Sequence, residues 1–254
     1  MQAPPIYGWS GSYTSWEEAK GASKGYSTDI ILEKCKNALL KVKNREAVYE
    51  RDGVLFEKIQ YSWPVLAGLL KVALENGNKL SVLDFGGSLG TSYYQNRTFT
   101  SFKELNWCIV EQENFVECGK KHFQNNELMF FKSVQDCLED IEINVVLISG
   151  VLQYLKEPYS MIDFLCSKQI KNIIVDCMPF NNIEIDRLTV QNVPPSIYEA
   201  SYPCWLLNYN KVIEAFSKTY KVVSEHNNEL SISVDGRQVS YKGFILELNE
   251  NKGI

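Results

Sequence analysis

Histidine is scarce in this 254-residue chain, which carries only His122 and His226, and neither stands at metal-ligand spacing from other ligands. A metal-dependent mechanism is not expected. Seven cysteines are present, but no Cys-x-x-Cys pair occurs and several lie within apolar patterns. Reduced, buried thiols fit better than a disulfide framework. Positive charge is not in excess: 26 Lys and Arg against 31 Asp and Glu give a net charge of −5, which argues against an extended nucleic-acid footprint. The cluster Lys34, Lys36, Lys41, Lys43 and Arg45 alternates with apolar positions and reads as a solvated helix face. Long apolar runs are missing too. The longest apolar helix candidate, 63–74, is interrupted by Lys71 and too short to span a bilayer, and no basic start leads into an apolar stretch, so no integral membrane segment and a cytoplasmic location are expected. There is no internal repeat and no low-complexity segment. Hydrophobic residues at 45% and charged residues at 22% are ordinary for a globular chain of this length.

The most informative stretch is 80–90, Leu-Ser-Val-Leu-Asp-Phe-Gly-Gly-Ser-Leu-Gly. A short apolar run ends in Asp84 and passes into a turn of Gly86, Gly87 and Gly90, the arrangement by which an α/β sheet holds a nucleotide-like cofactor. Glycines let the backbone approach a ligand and adopt positive φ. Thr91 or Ser92 is placed to cap the helix that follows. The dehydrogenase pattern Gly-x-Gly-x-x-Gly fails, because Ser88 and Thr91 fall where its second and third glycines belong. Instead, Asp84, Gly86 and Gly90 resemble the first motif of S-adenosylmethionine-dependent methyltransferases, with Ser88 in place of the middle glycine. The next apolar run, 106–110, ends in Glu111, a carboxylate at a second strand tip able to accept from two ribose hydroxyls at once.

Alternating patterns imply βαβ crossovers and a mostly parallel sheet covered on both faces. Strands are expected at 80–85, 106–110, 128–132, 144–149, 172–176 and 221–224, with helices at 114–123, 133–139, 159–168 and 211–217. Asp235-Gly236 marks a hairpin between 230–234 and 238–248. The fold class expected is α/β and Rossmann-like: a mostly parallel seven-stranded sheet with an antiparallel terminal hairpin. Residues 1–78 read as an aromatic and helical cap, with a capping box at Ser15 and Glu18, a long helix at 27–49, and Pro64 in the first turn of another. Residues 79–254 form the main domain.

Ligands in such sheets lie beyond the carboxyl ends of the strands. Ser149, Gln153 and Tyr154 follow the fourth strand, where cofactor and acceptor meet, and Asp176 follows the fifth. Asp176, His226 and Tyr154 are the catalytic candidates, the first two as proton acceptors. An irregular connection near 181–209 carries Arg187, Tyr198, Tyr202 and Trp205, suited to stack on a sugar or grip an anion. Packing of this loop on the amino-terminal cap is the plainer reading.

Several of these segments together resemble one family. The opening Tyr-Gly-x-x-Gly-x-Tyr-x-Ser-Trp-x-Glu-Ala, the Gly25-Tyr26 pair, the 83–90 turn, Ser-Gly-Val-Leu-Gln-Tyr-Leu at 149–155 and Arg-x-Thr-Val-Gln-x-Val-Pro-Pro-x-Ile-Tyr-x-Ala-Ser-Tyr-Pro-x-Trp at 187–205 are similar to bacterial S-adenosylmethionine-dependent methyltransferases associated with surface-polysaccharide gene clusters. The resemblance covers nearly the whole chain. It implies S-adenosylmethionine as cofactor, held by Asp84, Gly86, Gly87, Ser88, Gly90, Glu111, Ser149 and Gln153, and a small-molecule or glycan acceptor methylated on a sugar hydroxyl or sugar substituent. A binding protein that keeps the fold without turnover is the alternative. A nicotinamide-dependent oxidoreductase lacks its Tyr-x-x-x-Lys pair here.

Overall fold

The structure, a computed structural model, describes residues 7–25, 28–99, 101–181, 183–234 and 237–249. In chain order the elements are β1 (Gly8–Tyr13), α1 (Trp16–Ala22), α2 (Thr28–Lys43), β2 (Tyr49–Arg51), β3 (Val54–Phe56), α3 (Trp63–Glu75), β4 (Lys79–Phe85), α4 (Thr91–Asn96), β5 (Glu104–Val110), α5 (Glu113–His122), β6 (Leu128–Phe131), α6 (Val134–Asp140) and β7 (Val145–Ser149). A single 3₁₀ turn (Leu152–Tyr154) follows, then α7 (Pro158–Ser167), β8 (Asn172–Asn181), β9 (Arg187–Val193), β10 (Ala200–Asn208), α8 (Tyr209–Ser217), β11 (Tyr220–Val234) and β12 (Arg237–Leu248).

Strands β6, β5, β4, β7 and β8 lie side by side and parallel, and β12 then β11 close the sheet antiparallel beside β8. These are the seven strands expected. Side-chain alternation divides the core between two faces. Leu83, Cys108, Val146 and Val175 pack with α6, α7 and α8, while Leu80, Val82, Ile109 and Leu147 pack with α2, α3 and α5. Both faces are covered, which is why the central strands read as nearly continuous apolar runs. The Asp235-Gly236 turn lies outside the described residues, as do Tyr26 and the expected start of the 27–49 helix at Ser27, but Val234 pairs with Arg237 as a tight hairpin requires.

Four expectations need correction. The connection near 181–209 is not an irregular loop: β9 and β10 form an antiparallel hairpin and β1 adds to its edge, making the sheet ten-stranded. Its register pairs Leu188, Val190 and Val193 with Trp205, Pro203 and Ala200. The apolar residues Leu188 and Val190 pack on Ala19 of α1, a long-range pairing that hides behind the prolines in the sequence. The segment 1–78 is therefore not wholly helical, since β1, β2 and β3 lie within it. Helix α2 stops at Lys43, where Arg45 takes a positive φ of 64°, and Tyr49 opens a small β2–β3 hairpin instead of ending the helix. Finally, Gly90, with φ of 110°, occupies the cap position of α4, and neither Thr91 nor Ser92 caps it.

Strand β8 positions the site. Its first half pairs with β7 as far as Asp176; Cys177 then takes φ of 53°, and the strand runs on to pair with β10 beyond the end of β7. The β1–β9–β10 unit thus hangs over the carboxyl ends of the parallel strands.

Candidate cofactor and acceptor site

The turn after β4 is built by conformations that glycine allows. Gly86 has φ of 72° and its N–H donates to the Val110 carbonyl at 2.9 Å, so the chain leaves β4 still tied to β5. Ser88 holds φ of 54°, a glycine-like backbone kept despite its side chain. A Cβ on Gly87 would stand 2.5 Å from Asp84 Cγ, and one on Gly90 3.2 Å from Leu128. The turn therefore lies flat on the sheet end.

Asp84 is buried beneath it, 1% exposed, and accepts a 2.9 Å hydrogen bond from Trp107 Nε1. Burial pushes its carboxyl up to about 7; the Trp107 bond works against the rise and the Glu111 charge adds to it. Glu111, half-buried at the tip of β5, accepts from the Ser88 N–H at 3.3 Å and the Gln112 N–H at 2.7 Å. Burial raises its carboxyl too, offset by those two donors. The two acids picked out from the sequence thus flank one glycine turn.

The ends of β7 and β8 form the neighbouring wall. Ser149 pairs with Asp176, and Gly150 N–H donates to the Asp176 carbonyl at 3.0 Å. Gln153 is 2% exposed, and its Oε1 has no hydrogen-bond partner among the described residues. Tyr154 donates to Gln191 Oε1 at 2.8 Å and meets Tyr202 edge-on, with ring centroids 5.3 Å apart. Burial lifts both phenols above their ordinary range, so both stay neutral near pH 7.

Asp176 and His226, fifty residues apart, come together: His226 Nε2 lies 2.9 Å from Asp176 Oδ1, and His226 Nδ1 is buried without a partner among the described residues. Cys177 donates its thiol to the other Asp176 oxygen at 3.6 Å and accepts from Asn228 at 3.2 Å. Burial, then the Asp176 charge, pushes that thiol up to about 12, so it stays neutral near pH 7.

The proposed acceptor residues divide. Tyr202 joins the wall, with Tyr198 bonded to it. Arg187 donates from Nε (3.0 Å) and Nη2 (2.6 Å) to the Gly11 carbonyl, tying β9 to β1. Trp205 donates to the Leu155 carbonyl at 3.1 Å and stacks on Trp16. For these two, packing against the amino-terminal segment is the arrangement observed.

Sequence reading missed the β2–β3 hairpin. Its tip is Asp52-Gly53, with φ of 52° and 74°, the same turn signal recognised at Asp235-Gly236 but flanked by strands of only three residues. Glu50 fastens it to the cofactor turn by accepting from Thr91 and caps its own tip by accepting from Gly53 N–H at 3.1 Å. By contrast, a surface cavity of about 470 Å³ near Tyr93, Arg97 and Glu127 opens at the amino ends of the strands, away from this site. Among the described residues no group of three or more His, Cys, Asp or Glu is placed to hold a metal, all seven cysteines are free, and no helix is long and apolar enough to cross a membrane.

A parallel sheet in this order, with an acid-flanked glycine turn at its carboxyl edge, defines the Rossmann-like class I methyltransferase fold. A protein from Listeria monocytogenes provisionally described as an S-adenosylmethionine dependent methyltransferase superposes with a TM-score of 0.50 and 13% identity, over 74% of this chain and 98% of its own. Also similar are the N-terminal domain of EvdMO1, crystallised with S-adenosylhomocysteine and D-fucose (0.49, 13%, 79% and 90%), and a methyltransferase from Clostridium acetobutylicum (0.48, 9%, 85% and 98%). No protein-family model and no curated protein matches the sequence. At these identities the likeness concerns the fold.

Proposed function

We propose that this chain is an S-adenosylmethionine-dependent methyltransferase whose acceptor is a sugar or sugar substituent destined for a surface polysaccharide. The observation that carries the reading is Glu111 at the β5 tip, within hydrogen-bonding reach of the Gly86–Gly90 turn that runs out of β4. The residues suit the cofactor. Glu111 is an acceptor for two ribose hydroxyls, the turn allows close backbone approach, and Gln153 Oε1 is a buried acceptor still short of a donor. Bound there, S-adenosylmethionine supplies an electrophilic methyl group on a sulfonium.

The chain's own contribution is placement and proton handling. Rate is gained by holding the acceptor atom in line with the methyl and sulfur at roughly 3 to 3.5 Å. Glu111 beside the turn, and Asp84 beneath it above about pH 7 where its carboxyl ionises, place negative charge that favours a cationic cofactor over its neutral product. A hydroxyl acceptor must release a proton, and His226, oriented by Asp176, is the group assigned to take it.

The polysaccharide acceptor follows from the sequence resemblance. Incubation with S-adenosylmethionine carrying a labelled methyl group and a panel of activated sugars and polysaccharide repeat units tests it. Label in a sugar product supports the reading, whereas label transferred only to non-carbohydrate acceptors contradicts it.

A further inference from the structure

We propose that Gly243 is the positioning residue for the proton acceptor: it is the gap in β12 through which His226 of β11 reaches Asp176 of β8, and the pairing so made fixes Nδ1 as the basic atom. The inference rests on the reading of His226 as the group that takes the acceptor's proton.

Three strands take part. β12 lies between β8 and β11, and neighbouring strands are about 4.8 Å apart, so roughly 10 Å and a third strand separate the backbones that carry Asp176 and His226. His226 Nε2 nevertheless comes to 2.9 Å from Asp176 Oδ1, with the imidazole only 11% exposed. The residue it must cross is Gly243, its direct partner in the β11–β12 ladder. Opposite residues of an antiparallel pair turn their side chains to one face, so any side chain at 243 would lie in the path of the ring. A Cβ there would collide with His226 Nε2 and stand 2.5 Å from Cε1. Gly243 holds no left-handed φ, so glycine serves here for space and not for conformation.

The far side of the gap is a β-bulge. Val175 pairs with Phe244 and Met178 with Lys242, which leaves Asp176 and Cys177 facing Gly243 alone. Cys177 absorbs the extra residue with its φ of 53°. A bulge re-aims a side chain, and this one leaves the Asp176 carboxylate within reach of the ring that crosses the gap. It also adjoins the β7 turn, since a Cβ on Gly150 would stand 3.7 Å from Cys177 Cβ and 3.9 Å from Gln153 Nε2.

The pairing decides which nitrogen is basic. A carboxylate only accepts, so Nε2 carries the proton and donates it to Asp176. Nδ1 keeps a lone pair, buried and without a donor among the described residues. A hydroxyl of the acceptor supplies that donor. As its oxygen takes the methyl carbon, its proton passes to Nδ1, and the positive charge given up by the sulfonium ends on an imidazolium that Asp176 stabilises and water discharges.

The test reads His226 by proton–nitrogen NMR of the full chain carrying nitrogen-15 histidine, saturated with S-adenosylhomocysteine at pH 8, with His122→Gln to separate the two rings. Wild type should show the Nε2–H tautomer alone. Gly243→Ala should return His226 to a mixture of both tautomers while S-adenosylhomocysteine affinity stays within twofold of wild type. A wild-type imidazole protonated at Nδ1, a spectrum that Gly243→Ala leaves unchanged, or a larger loss of affinity overturns the proposal. The added methyl also meets the Val175 carbonyl oxygen at 2.5 Å, so a second comparison separates the two neighbours. In a His226→Ala background the fall in urea midpoint caused by Gly243→Ala should be at most half that in wild type, or folding lost in the single variant should return in the double one. A larger fall, or no folding in either, assigns Gly243 to the carbonyl alone and overturns its role. With whichever acceptor takes label in the methyl-transfer assay, Gly243→Ala should lower kcat at least tenfold with KM for S-adenosylmethionine within twofold, and an unchanged kcat overturns the role too. Failure of wild type to bind S-adenosylhomocysteine overturns the methyl-transfer reading instead, while the tautomer of the unliganded chain still judges the pairing.

Discussion

Replacing Asp84 by asparagine separates what this carboxylate costs the fold from what it contributes to the site. Burial lifts the carboxyl from its ordinary 3.8 to about 7, so the folded protein holds the proton more tightly than the unfolded chain does. With ~1.4 kcal/mol for each pH unit, keeping Asp84 ionised costs roughly 4 kcal/mol. The sign follows: below about pH 4 both states are protonated and there is no cost; from pH 4 to 7 wild-type stability falls; above 7 the full cost remains. Asparagine preserves the shape and an acceptor for Trp107 Nε1 but cannot ionise. Its extra buried N–H donors add a penalty of about 1–3 kcal/mol, which does not depend on pH. Urea unfolding of the cofactor-free protein at pH 4.5, 6, 7.5 and 9 should therefore show the variant gaining on wild type by about 3–4 kcal/mol across the range. Glu50, Asp52 and Glu111, whose carboxyls are also raised, are common to both proteins and cancel to first order in the difference. A difference that stays flat with pH would refute the argument. The same substitution should weaken S-adenosylmethionine binding, and unchanged affinity would remove Asp84 from the cofactor site.

Other substitutions probe neighbouring contacts. Glu111→Gln should lower S-adenosylhomocysteine affinity roughly tenfold to a hundredfold, the worth of ~1.5–3 kcal/mol for hydrogen bonds to a charged acceptor, and calorimetry reads it directly. Gly87→Ala drives a methyl into the Asp84 carboxylate, so chemical denaturation should show a loss of about 1–3 kcal/mol together with weakened cofactor binding; wild-type values for both would contradict the turn geometry. Ser88→Gly relieves a left-handed backbone and should stabilise the apo protein by up to about 1 kcal/mol. Arg187→Ala loses two bonds to Gly11, so hydrogen exchange should quicken in β1 while cofactor affinity holds; equal loss of both would contradict that assignment.

Legibility in the sequence followed the range of the interactions. Strand β4, its glycine turn and Glu111 were readable because run, turn and acid follow one another locally. The seven-stranded core was readable because its strands and helices alternate with clear apolar periodicity. The β9–β10 hairpin was not, since its pairing with β1 spans some 180 residues and Pro194, Pro195 and Pro203 imitate an irregular loop. Arg187 and Trp205 looked like ligand groups because chain order cannot show that Gly11 and Trp16 return to meet them. Asp176 and His226 stand out singly in the sequence, but their 2.9 Å pairing depends on β12 lying between β8 and β11, which chain order does not show. The Asp52-Gly53 turn could have been found, and the three-residue strands around it concealed it.

The central claim is that the carboxyl edge of this sheet holds S-adenosylmethionine. Calorimetric titration of the purified protein with S-adenosylmethionine, S-adenosylhomocysteine and NAD tests it most directly. Saturable one-site binding of the first two, weakened roughly tenfold to a hundredfold in Glu111→Gln, and none of NAD is the result predicted; binding of NAD, or of none of the three, would contradict it.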